Sequence, residues 1–281
     1  MNKNLLIAPL LLCSALCFTS CGTTSFDNTK LVIGLECGYA PFNWSENKAN
    51  DYTLEVKNKS NLYCDGYDIQ IAKLLGEELG VEVQIMQVAW ESLISDLQLG
   101  SINAVIAGMT DTEERRQTID FTDEYYRSEL VLVVQKSVAD SYTDVLNSSD
   151  FTSLVTGQVI VSQSSTVTND VIDIFKENHG AVHAPAVDSF SLAATDVSNG
   201  SAFAMTAELP VAQSIVSSFN NLGIIHMDQS ILGEKQSELG VSIGIQKGNT
   251  ELQTKLNNAL AKISQETRLQ LMSEAVLRSA E

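Results

Sequence analysis

The sequence predicts an α/β protein with a mainly parallel sheet, arranged as two units of similar construction. Short apolar runs of strand length alternate with amphipathic segments of helix length, a pattern typical of parallel strands joined by helices that pack on the sheet. The alternation restarts after residue 134, and 281 residues are enough for two domains of ordinary size. No internal repeat or low-complexity tract accompanies this division.

The first unit begins with an apolar run and continues in strict alternation. Asp68 is a candidate cap for a helix whose apolar residues lie on one face, and Gly80 and Gly100 are placed to end two of the helices. The polar segment 45–61 indicates an excursion or hairpin. The predicted strands are 31–35, 81–85 and 102–107, and the predicted helices are 68–79, 91–99 and the turn that carries Arg115.

The second unit shows the same alternation of strands and helices, and further elements follow it near the C-terminus. Its apolar runs predict strands, and its amphipathic segments predict helices. The predicted strands are 130–134, 159–161, 202–205 and 240–245, and the predicted helices are 167–175, 192–197, 211–219 and 252–263, with one more helix at the end.

The N-terminus is predicted to be a targeting segment. Lys3 gives a short positive region, residues 5–18 form an apolar run, and small residues precede Cys21. This pattern resembles a bacterial lipoprotein signal, in which residues 1–20 are removed and Cys21 carries the lipid. A plain secretory signal cut nearby is the alternative. Residues 21–30 then form a tether, and the mature chain is exported in either case.

The charge balance restricts the partners of the chain. It carries 17 basic and 35 acidic residues, for a net charge of −18. Nucleic acid and anionic membrane surfaces would repel such a protein, so a membrane contact is expected only through the lipid anchor. The hydrophobic fraction of 44% is that of a globular protein that buries real cores.

The cysteines and histidines give no metal or cofactor site. Cys37 and Cys64 remain in the mature chain, where a disulfide is one possibility and two separate buried thiols are the other. His179, His183 and His226 lie outside the ligand-facing motifs and are expected on exposed loops. Cys-x-x-Cys pairs and phosphate-cradling glycine-rich loops with a lysine are absent from the sequence.

The stretch 108–115 is the most informative in the chain. Gly108 ends a buried strand, and Arg115 follows in the first turn of a helix for which Thr110 and Asp111 are candidate N-caps. Free N–H groups at a helix start favour an anion, and a guanidinium adds a two-pronged donor for a carboxylate. The stretch therefore predicts a site for a small carboxylate, with a solvated surface arginine as the plain alternative.

Several short strings, in order along nearly the whole mature chain, resemble the extracellular solute-binding proteins of ABC-type amino-acid importers. Each string alone has little specificity, but their order and spacing together are specific. They are Gly-Tyr-Ala-Pro-Phe-Asn-Trp at 38–44, Gly-Tyr-Asp at 66–68, Trp-Glu-Ser-Leu-Ile at 90–94, the 108–115 block, Asp-Phe-Thr-Asp at 120–123 and Glu-Leu-Pro-Val-Ala at 208–212.

The resemblance implies a fold and a division of the chain. The fold is the two-lobed clamp of periplasmic binding proteins, with the chain crossing between the lobes twice. Lobe one would comprise residues 31–128 and 240–281, and lobe two residues 129–239. A ligand bound between the lobes would close them by hinge motion.

The resemblance also implies roles for individual residues. Arg115 would pair with the α-carboxylate of a bound amino acid and Glu208 would accept its α-ammonium, so that each lobe supplies one charge. Other expected contacts are the backbone and side chain of Gly108 and Thr110, the N–H groups of Ser165 and Thr166, the aromatic walls Tyr39 and Trp90, and Glu36, an acid at a position that is often acidic in relatives that bind cationic amino acids.

Two departures from the family pattern accompany these matches. The string Ser164-Ser165-Thr166 lacks the usual glycine, and Glu208 stands where aspartate is commoner. The expected function is binding of a polar or basic amino acid by a monomer, without catalysis, and its delivery to an ABC permease and its ATPase. The alternatives are a ligand-sensing surface module and a dehydratase-like enzyme on the same fold.

Overall fold

Two five-stranded sheets with helices packed on them form the framework of the protein. The computed structural model describes residues 29–280, so the signal segment 1–20, the lipid-anchor residue Cys21 and most of the tether lie outside the described residues. Within that range no helix has the length and apolar character needed to cross a membrane.

The described strands and helices alternate along most of the chain. The strands are β1 Lys30–Leu35, β2 Gly38–Tyr39, β3 Asn43–Glu46, β4 Leu54–Glu55, β5 Tyr63–Asp65, β6 Glu82–Gln87, β7 Ala104–Val105, β8 Ile119–Arg127, β9 Leu130–Gln135, β10 Val159–Val161, β11 Val182–His183, β12 Ala204–Glu208, β13 Leu222–His226 and β14 Gly240–Gln246. The helices are α1 Tyr67–Leu79, α2 Leu93–Leu99, α3 Glu113–Arg116, α4 Lys136–Ala139, α5 Ser148–Val155, α6 Val167–His179, α7 Phe190–Asn199, α8 Leu209–Ser218, α9 Thr250–Leu260 and α10 Gln265–Arg278, with 3₁₀ segments at Trp90–Ser92 and Gln229–Leu239.

The first sheet has the strand order β6-β1-β7-β14-β8. Strand β1 runs parallel to β6 and β7, whereas β14 runs antiparallel to β7 and β8. Leu31, Ile33 and Leu35 of β1 are fully buried, and because alternate residues of a strand share one face, they mark the face of the sheet that packs on the core. The strand that returns late in the chain, β14, therefore completes a sheet that begins at residue 30.

The second sheet has the strand order β11-β10-β12-β9-β13. Strand β10 runs parallel to β11 and β12, and β9 runs antiparallel to β12 and β13. The chain passes from the first sheet to the second between β8 and β9, and it returns at β14. The prediction of a two-lobed α/β clamp with two crossings is confirmed.

A small third sheet, of order β2-β3-β5-β4, covers the segment that the sequence indicated as a polar excursion or hairpin. In its register Gly38 lies opposite Trp44, and Ser45 lies opposite Cys64. Trp44 packs near the guanidinium of Arg278, with its ring centroid 5.9 Å from Cζ, and does not line the cleft described below.

The glycine signals for helix ends were right, and the predicted cap of the first helix was wrong. Gly80 and Gly100 end α1 and α2 in the left-handed conformation. Gly66, not Asp68, precedes α1, with φ at 133°. A Cβ at Gly66 would stand 2.2 Å from the carbonyl oxygen of Phe42, so the close approach of these two segments explains why a glycine stands there.

Asp68 lies inside the first turn of α1 with its carboxylate fully buried. The hydroxyl of Tyr125 donates to it at 2.7 Å, and the amide of Asn43 donates at 2.9 Å. Burial raises the pKa of Asp68 to about 7, and the two side-chain hydrogen bonds act in the opposite direction. Because its oxygens are held by tertiary partners, this side chain does not cap its own helix.

Candidate ligand-binding site

A narrow cleft between the two lobes gathers residues that follow strands of both large sheets. Ligands in open α/β sheets commonly bind beyond the carboxyl ends of the strands, and Glu36, Gly108 and Gln163 lie beyond those ends. The lining residues are Glu36, Tyr39, Trp90, Gly108, Thr110 and Arg115 from one lobe and Gln163, Thr166, Val167, Phe190 and Glu208 from the other.

Arg115 is held across this cleft by hydrogen bonds. Its Nη1 donates to the carbonyl oxygen and the hydroxyl of Thr110, at 2.7 and 2.6 Å, and its Nη2 donates to the carbonyl oxygen of Ser165 at 2.8 Å. Its Cζ lies 5.3 Å from the ring centroid of Trp90, a cation–π distance. The guanidinium therefore faces the cleft, and the alternative of a solvated surface arginine does not describe it.

The local structure around Arg115 differs from the sequence prediction. The helix α3 is a single turn, and Thr112 is its N-cap, with its hydroxyl accepting from the N–H of Arg115 at 3.2 Å. Thr110 cannot serve as the cap because its hydroxyl accepts from the guanidinium, and the carboxylate of Asp111 pairs with Arg116. One turn aligns few peptide dipoles, so the positive charge here comes from the side chain.

Burial lowers the pKa of Arg115, and nearby acids including Asp170 act in the opposite direction. A guanidinium remains protonated in proteins in spite of such shifts. The cleft thus holds one fixed positive charge.

Glu208 is the last residue of β12 and directly precedes α8. Only 7% of the residue is exposed, and its Oε2 accepts a hydrogen bond from the hydroxyl of Tyr39 at 2.8 Å. Burial raises the pKa of Glu208, and the Tyr39 bond acts in the opposite direction. A hydroxyl from one lobe and a carboxyl group from the other therefore meet at the base of the cleft.

Glu36 supplies a second carboxyl group to the cleft. It follows β1 directly, and burial raises its pKa to about 7, with a hydrogen bond to the side chain of Gln163 acting in the opposite direction. Gln163 follows β10 of the other lobe. When both are ionised, Glu36 and Glu208 carry one more charge than Arg115 balances, and because burial raises both pKa values, a cationic group in the cleft would stabilise their ionised forms.

Aromatic rings fill the remaining space. Tyr39 stacks on Phe42 on one side and on Phe190 on the other, with centroid distances of 5.1 Å in both pairs. Beside the contact between Tyr39 and Phe190, the cavity leaves about 10 Å³ for the centre of a water molecule, barely the room that one water needs. Gly108 lies against the same ring, since a Cβ there would stand 2.7 Å from Cε1 of Tyr39.

The start of α6 forms one rim of the cleft. Thr166 caps the helix, accepting from the N–H of Asn169 at 3.2 Å, and lines the cavity. Ser165 has φ at 57°, and its carbonyl oxygen accepts from Arg115 and, at 3.4 Å, from Nε1 of Trp90. Ser165, a predicted ligand contact, therefore does not itself line the cavity, and its carbonyl oxygen instead holds Arg115 and Trp90 at the rim.

The two lobes are also joined directly at this rim. One oxygen of Glu91 accepts from the hydroxyl of Ser164 at 2.9 Å, and the other accepts from the hydroxyl of Ser165 at 3.0 Å. Glu91 follows Trp90 in the 3₁₀ segment of lobe one. These bonds hold the lobes together without occupying the cavity.

Sequence reasoning missed Gln163, Val167 and Phe190 as lining residues. Gln163 carried a usable signal, because it follows a predicted parallel strand in the same way that Glu36 does. Phe190 opens α7 after the cap residue Ser189. Nothing in its local pattern distinguishes it from a core aromatic, so only the packing of the lobes reveals it.

The features that could suggest an enzyme are not among the residues that line the cleft. Residues 240–244 match a Gly-x-Ser-x-Gly pattern, but Ser242 is fully buried inside β14 rather than exposed on a sharp turn. The histidines were expected on exposed loops, which was wrong. His179 is buried at the end of α6 and contacts the hydroxyl of Thr152, whereas His183 and His226 lie in strands. Among residues 29–280 no cluster of potential metal ligands occurs.

The family model of the bacterial extracellular solute-binding proteins, family 3, matches residues 31–277. This chain belongs to that family. The solute-binding protein is therefore an exported protein, and the resemblance to amino-acid-binding members is confirmed.

Named relatives of this family-3 protein agree with that assignment. The ABC transporter arginine-binding protein 1 of Escherichia coli (strain K12) is 27% identical over 209 residues, which cover 74% of this chain and 80% of that protein. The structure of an ancestral arginine-binding protein bound to arginine is 26% identical, with a TM-score of 0.68, and the match covers 87% of this chain and 97% of that chain.

A further solved structure shares the fold of the solute-binding protein. It is the substrate-binding protein AbpA of an amino-acid ABC transporter from Streptococcus pneumoniae Canada MDR_19A, bound to L-arginine. The TM-score is 0.72 at 24% identity, and the match covers 90% of this chain and 97% of that chain. At this identity the likeness concerns the fold alone.

Proposed function

We propose that this protein is a receptor that binds a free α-amino acid with a cationic side chain between its two lobes and delivers it to an ABC-type membrane permease. The charge pattern of the cleft carries the proposal. One guanidinium, that of Arg115, shares the cleft with the half-buried carboxyl group of Glu36 and the buried one of Glu208. Relatives named for arginine support the same choice of ligand.

The zwitterion of an amino acid matches two of these three groups. Its carboxylate pairs with Arg115, its ammonium pairs with Glu208, and the third group, Glu36, is left for a second positive charge on the ligand. An ion pair at about 4 Å is worth about 4 kcal/mol at an effective dielectric near 20, before desolvation. Micromolar binding needs about 8 kcal/mol in total, which these pairs and the hydrogen bonds can supply.

Binding is coupled to movement of the lobes. We take lobe one as residues 31–128 and 240–281 and lobe two as residues 129–239. Since Tyr39 stacks on Phe190 and leaves about 10 Å³, an amino acid enters only when the two rings part. The ligand then bridges the lobes in place of the Tyr39–Glu208 bond, so its binding energy drives closure.

The remaining features of the proposal concern location and action. Removal of residues 1–20 and lipidation of Cys21 would anchor the receptor to the outer face of the cell membrane, with residues 21–30 as the tether. The protein acts as a monomer and releases its ligand unchanged. It needs no cofactor for this task.

Replacement of Arg115 tests the proposal. Because truncating one partner of a buried charge pair costs about 2–5 kcal/mol, we expect Arg115→Ala to weaken L-arginine binding by about 100-fold or more in titration calorimetry. The matched control is Arg116→Ala, which removes an exposed cation that pairs with Asp111 outside the cleft. Near-normal affinity of a folded Arg115→Ala protein would contradict the proposed site.

A further inference from the structure

A chain of buried hydrogen bonds runs from the start of α1 to a residue that lines the cleft. Asp68, in the first turn of α1, accepts from the hydroxyl of Tyr125 at 2.7 Å, and that hydroxyl oxygen accepts from the N–H of Gly108 at 3.0 Å. All three residues are buried. Of the three, Gly108 alone lines the cavity, so the chain of bonds reaches the cleft from beneath.

The position of Gly108 affects two parts of the binding site. Its φ is 59°, and a Cβ there would stand 2.7 Å from Cε1 of Tyr39, so an aromatic wall of the cleft packs directly on its Cα. Two residues on, the carbonyl oxygen and the hydroxyl of Thr110 accept from the guanidinium of Arg115. A shift of Gly108 would therefore disturb both the aromatic wall and the arginine.

Two anchors hold this stretch of chain. Strand β14 holds it after Gly108, where the N–H of Ser242 donates to the carbonyl oxygen of Met109 at 2.9 Å. At Gly108 itself the partner of the N–H is the Tyr125 hydroxyl. A hydroxyl rotates to suit its partners, so it offers a lone pair to this N–H reliably only when an acceptor fixes its own proton. Asp68 supplies that acceptor.

We propose that Asp68 and Tyr125 are positioning residues for ligand binding, which fix the N–H of Gly108 and thereby set the stretch 108–110 in the form that receives the amino acid. This rests on the proposed function, since it takes Gly108 and Thr110 as ligand contacts. Each bond in the chain is buried, so its loss leaves a polar group unpaired and out of reach of water. The stretch then leaves its binding-competent form for part of the time, and the apparent affinity falls by that fraction.

The surroundings of the chain of bonds supply a matched control and a rescue. The hydroxyl of Tyr67 donates to the carbonyl oxygen of Tyr125 at 2.8 Å, a buried bond that ends on the same residue but not on its hydroxyl. The second oxygen of Asp68 accepts from the amide of Asn43 at 2.9 Å. The Oδ1 atom of Asn43 has no hydrogen-bond partner among residues 29–280, so it can accept from an amide placed at residue 68.

Amide exchange at Gly108 in the ligand-free protein tests the geometry. With glycine labelled by ¹⁵N, the Gly108 signal is assigned by its absence in Gly108→Ala. Tyr125→Phe removes the acceptor of this N–H, so we expect its exchange to become about tenfold faster or more. Tyr67→Phe makes the same chemical change one contact away and should leave the exchange rate nearly unaltered. An unchanged rate in Tyr125→Phe would overturn the proposal, whether or not arginine binds.

Titration calorimetry with L-arginine tests the effect on the site. We expect Tyr125→Phe and Asp68→Ala to bind about tenfold more weakly than the wild type, and Tyr67→Phe to bind within about twofold of it. Asp68→Asn should recover most of the affinity, because its oxygen still accepts from Tyr125 and its amide can donate to Oδ1 of Asn43 once the Asn43 amide turns over.

Two results in calorimetry would overturn the positioning role. One is full affinity in Tyr125→Phe, and the other is equal weakening by Tyr125→Phe and Tyr67→Phe, which would assign the loss to general stability. A wild type that does not bind L-arginine would contradict the proposed function instead, and the exchange rates would still decide whether Tyr125 holds Gly108.

Discussion

Replacing Glu36 by glutamine should remove most of the proposed preference for arginine over glutamine. Glu36→Gln keeps the size of the side chain and a partner for Gln163, but it removes the second carboxyl group of the cleft. The α-carboxylate and α-ammonium contacts of Arg115 and Glu208 remain. The variant therefore isolates the group proposed to recognise the cationic side chain.

The expected loss follows from the strength of a charged hydrogen bond. Such a bond contributes about 1.5–3 kcal/mol net, and each 1.4 kcal/mol changes a dissociation constant about tenfold. Because the pKa of Glu36 is about 7, ionising it at neutral pH costs well under 1 kcal/mol. We expect arginine to bind roughly 30-fold more weakly to the variant, and glutamine affinity to change less than about threefold.

The pH dependence of binding provides an internal check. A cationic ligand stabilises the ionised form of Glu36, so its pKa falls below about 7 on binding. Arginine affinity should then be constant at high pH and decline as the pH drops through 7, by up to about tenfold per unit. Glu36→Gln should flatten this decline, leaving only the part that Glu208 contributes through its own raised pKa.

The ligand-free protein should show the opposite trend in stability. The folded pKa of Glu36, about 7, lies above its ordinary value of 4.5, so between these values the folded protein holds a proton that the unfolded chain has released. The contribution of Glu36 to the free energy of unfolding is fully present below pH 4.5 and is lost as the pH rises through 7. Melting curves from pH 5 to 8 without ligand measure this loss, and Glu36→Gln should reduce it.

Titration calorimetry at pH 8 and at pH 6 measures the affinities of the wild type and of Glu36→Gln for arginine and for glutamine. The matched control is Glu55→Gln, which removes an exposed carboxylate paired with Lys57 in the same lobe and so makes the same change in net charge. Arginine binding to Glu36→Gln within threefold of the wild type would refute the assignment of Glu36 to the ligand side chain.

Two further predictions concern the shape of the cleft and its closure. Gly108→Ala places a Cβ 2.7 Å from the ring of Tyr39, at a residue whose φ is 59°. We therefore expect amino-acid affinity to fall at least about tenfold in calorimetry, while circular dichroism still shows a folded protein. Unchanged affinity would show that the ring moves freely. Glu91→Ala removes the acceptors for the hydroxyls of Ser164 and Ser165. Because these two exposed hydrogen bonds together contribute about 1 kcal/mol, ligand dissociation in stopped flow should become roughly fivefold faster. Glu91→Gln should partly restore the slower rate, and an unaltered rate in Glu91→Ala would disprove the prediction.

The sequence predicted most elements of the fold because the signals for them are local. Apolar runs and amphipathic segments mark the strands and helices, and the glycines at 80 and 100 end helices since they adopt a left-handed conformation without strain. The predicted helix caps were wrong where the side chain forms a hydrogen bond with a residue elsewhere in the fold instead of with its own helix. Asp68 bonds to Tyr125 instead of capping α1, and Thr110 bonds to Arg115, which leaves the cap to Thr112.

By itself the sequence determined the fold class, the family and the one cation of the cleft, because periodicity and motif spacing are properties of the chain. Only the tertiary structure decided that Gln163 stands beside Glu36 and that Phe190 stands beside Tyr39. These neighbours are far apart in the chain and follow ordinary strands and helices. They meet because the sheets bring strand ends together and the lobes close on each other, and no local pattern contains that information.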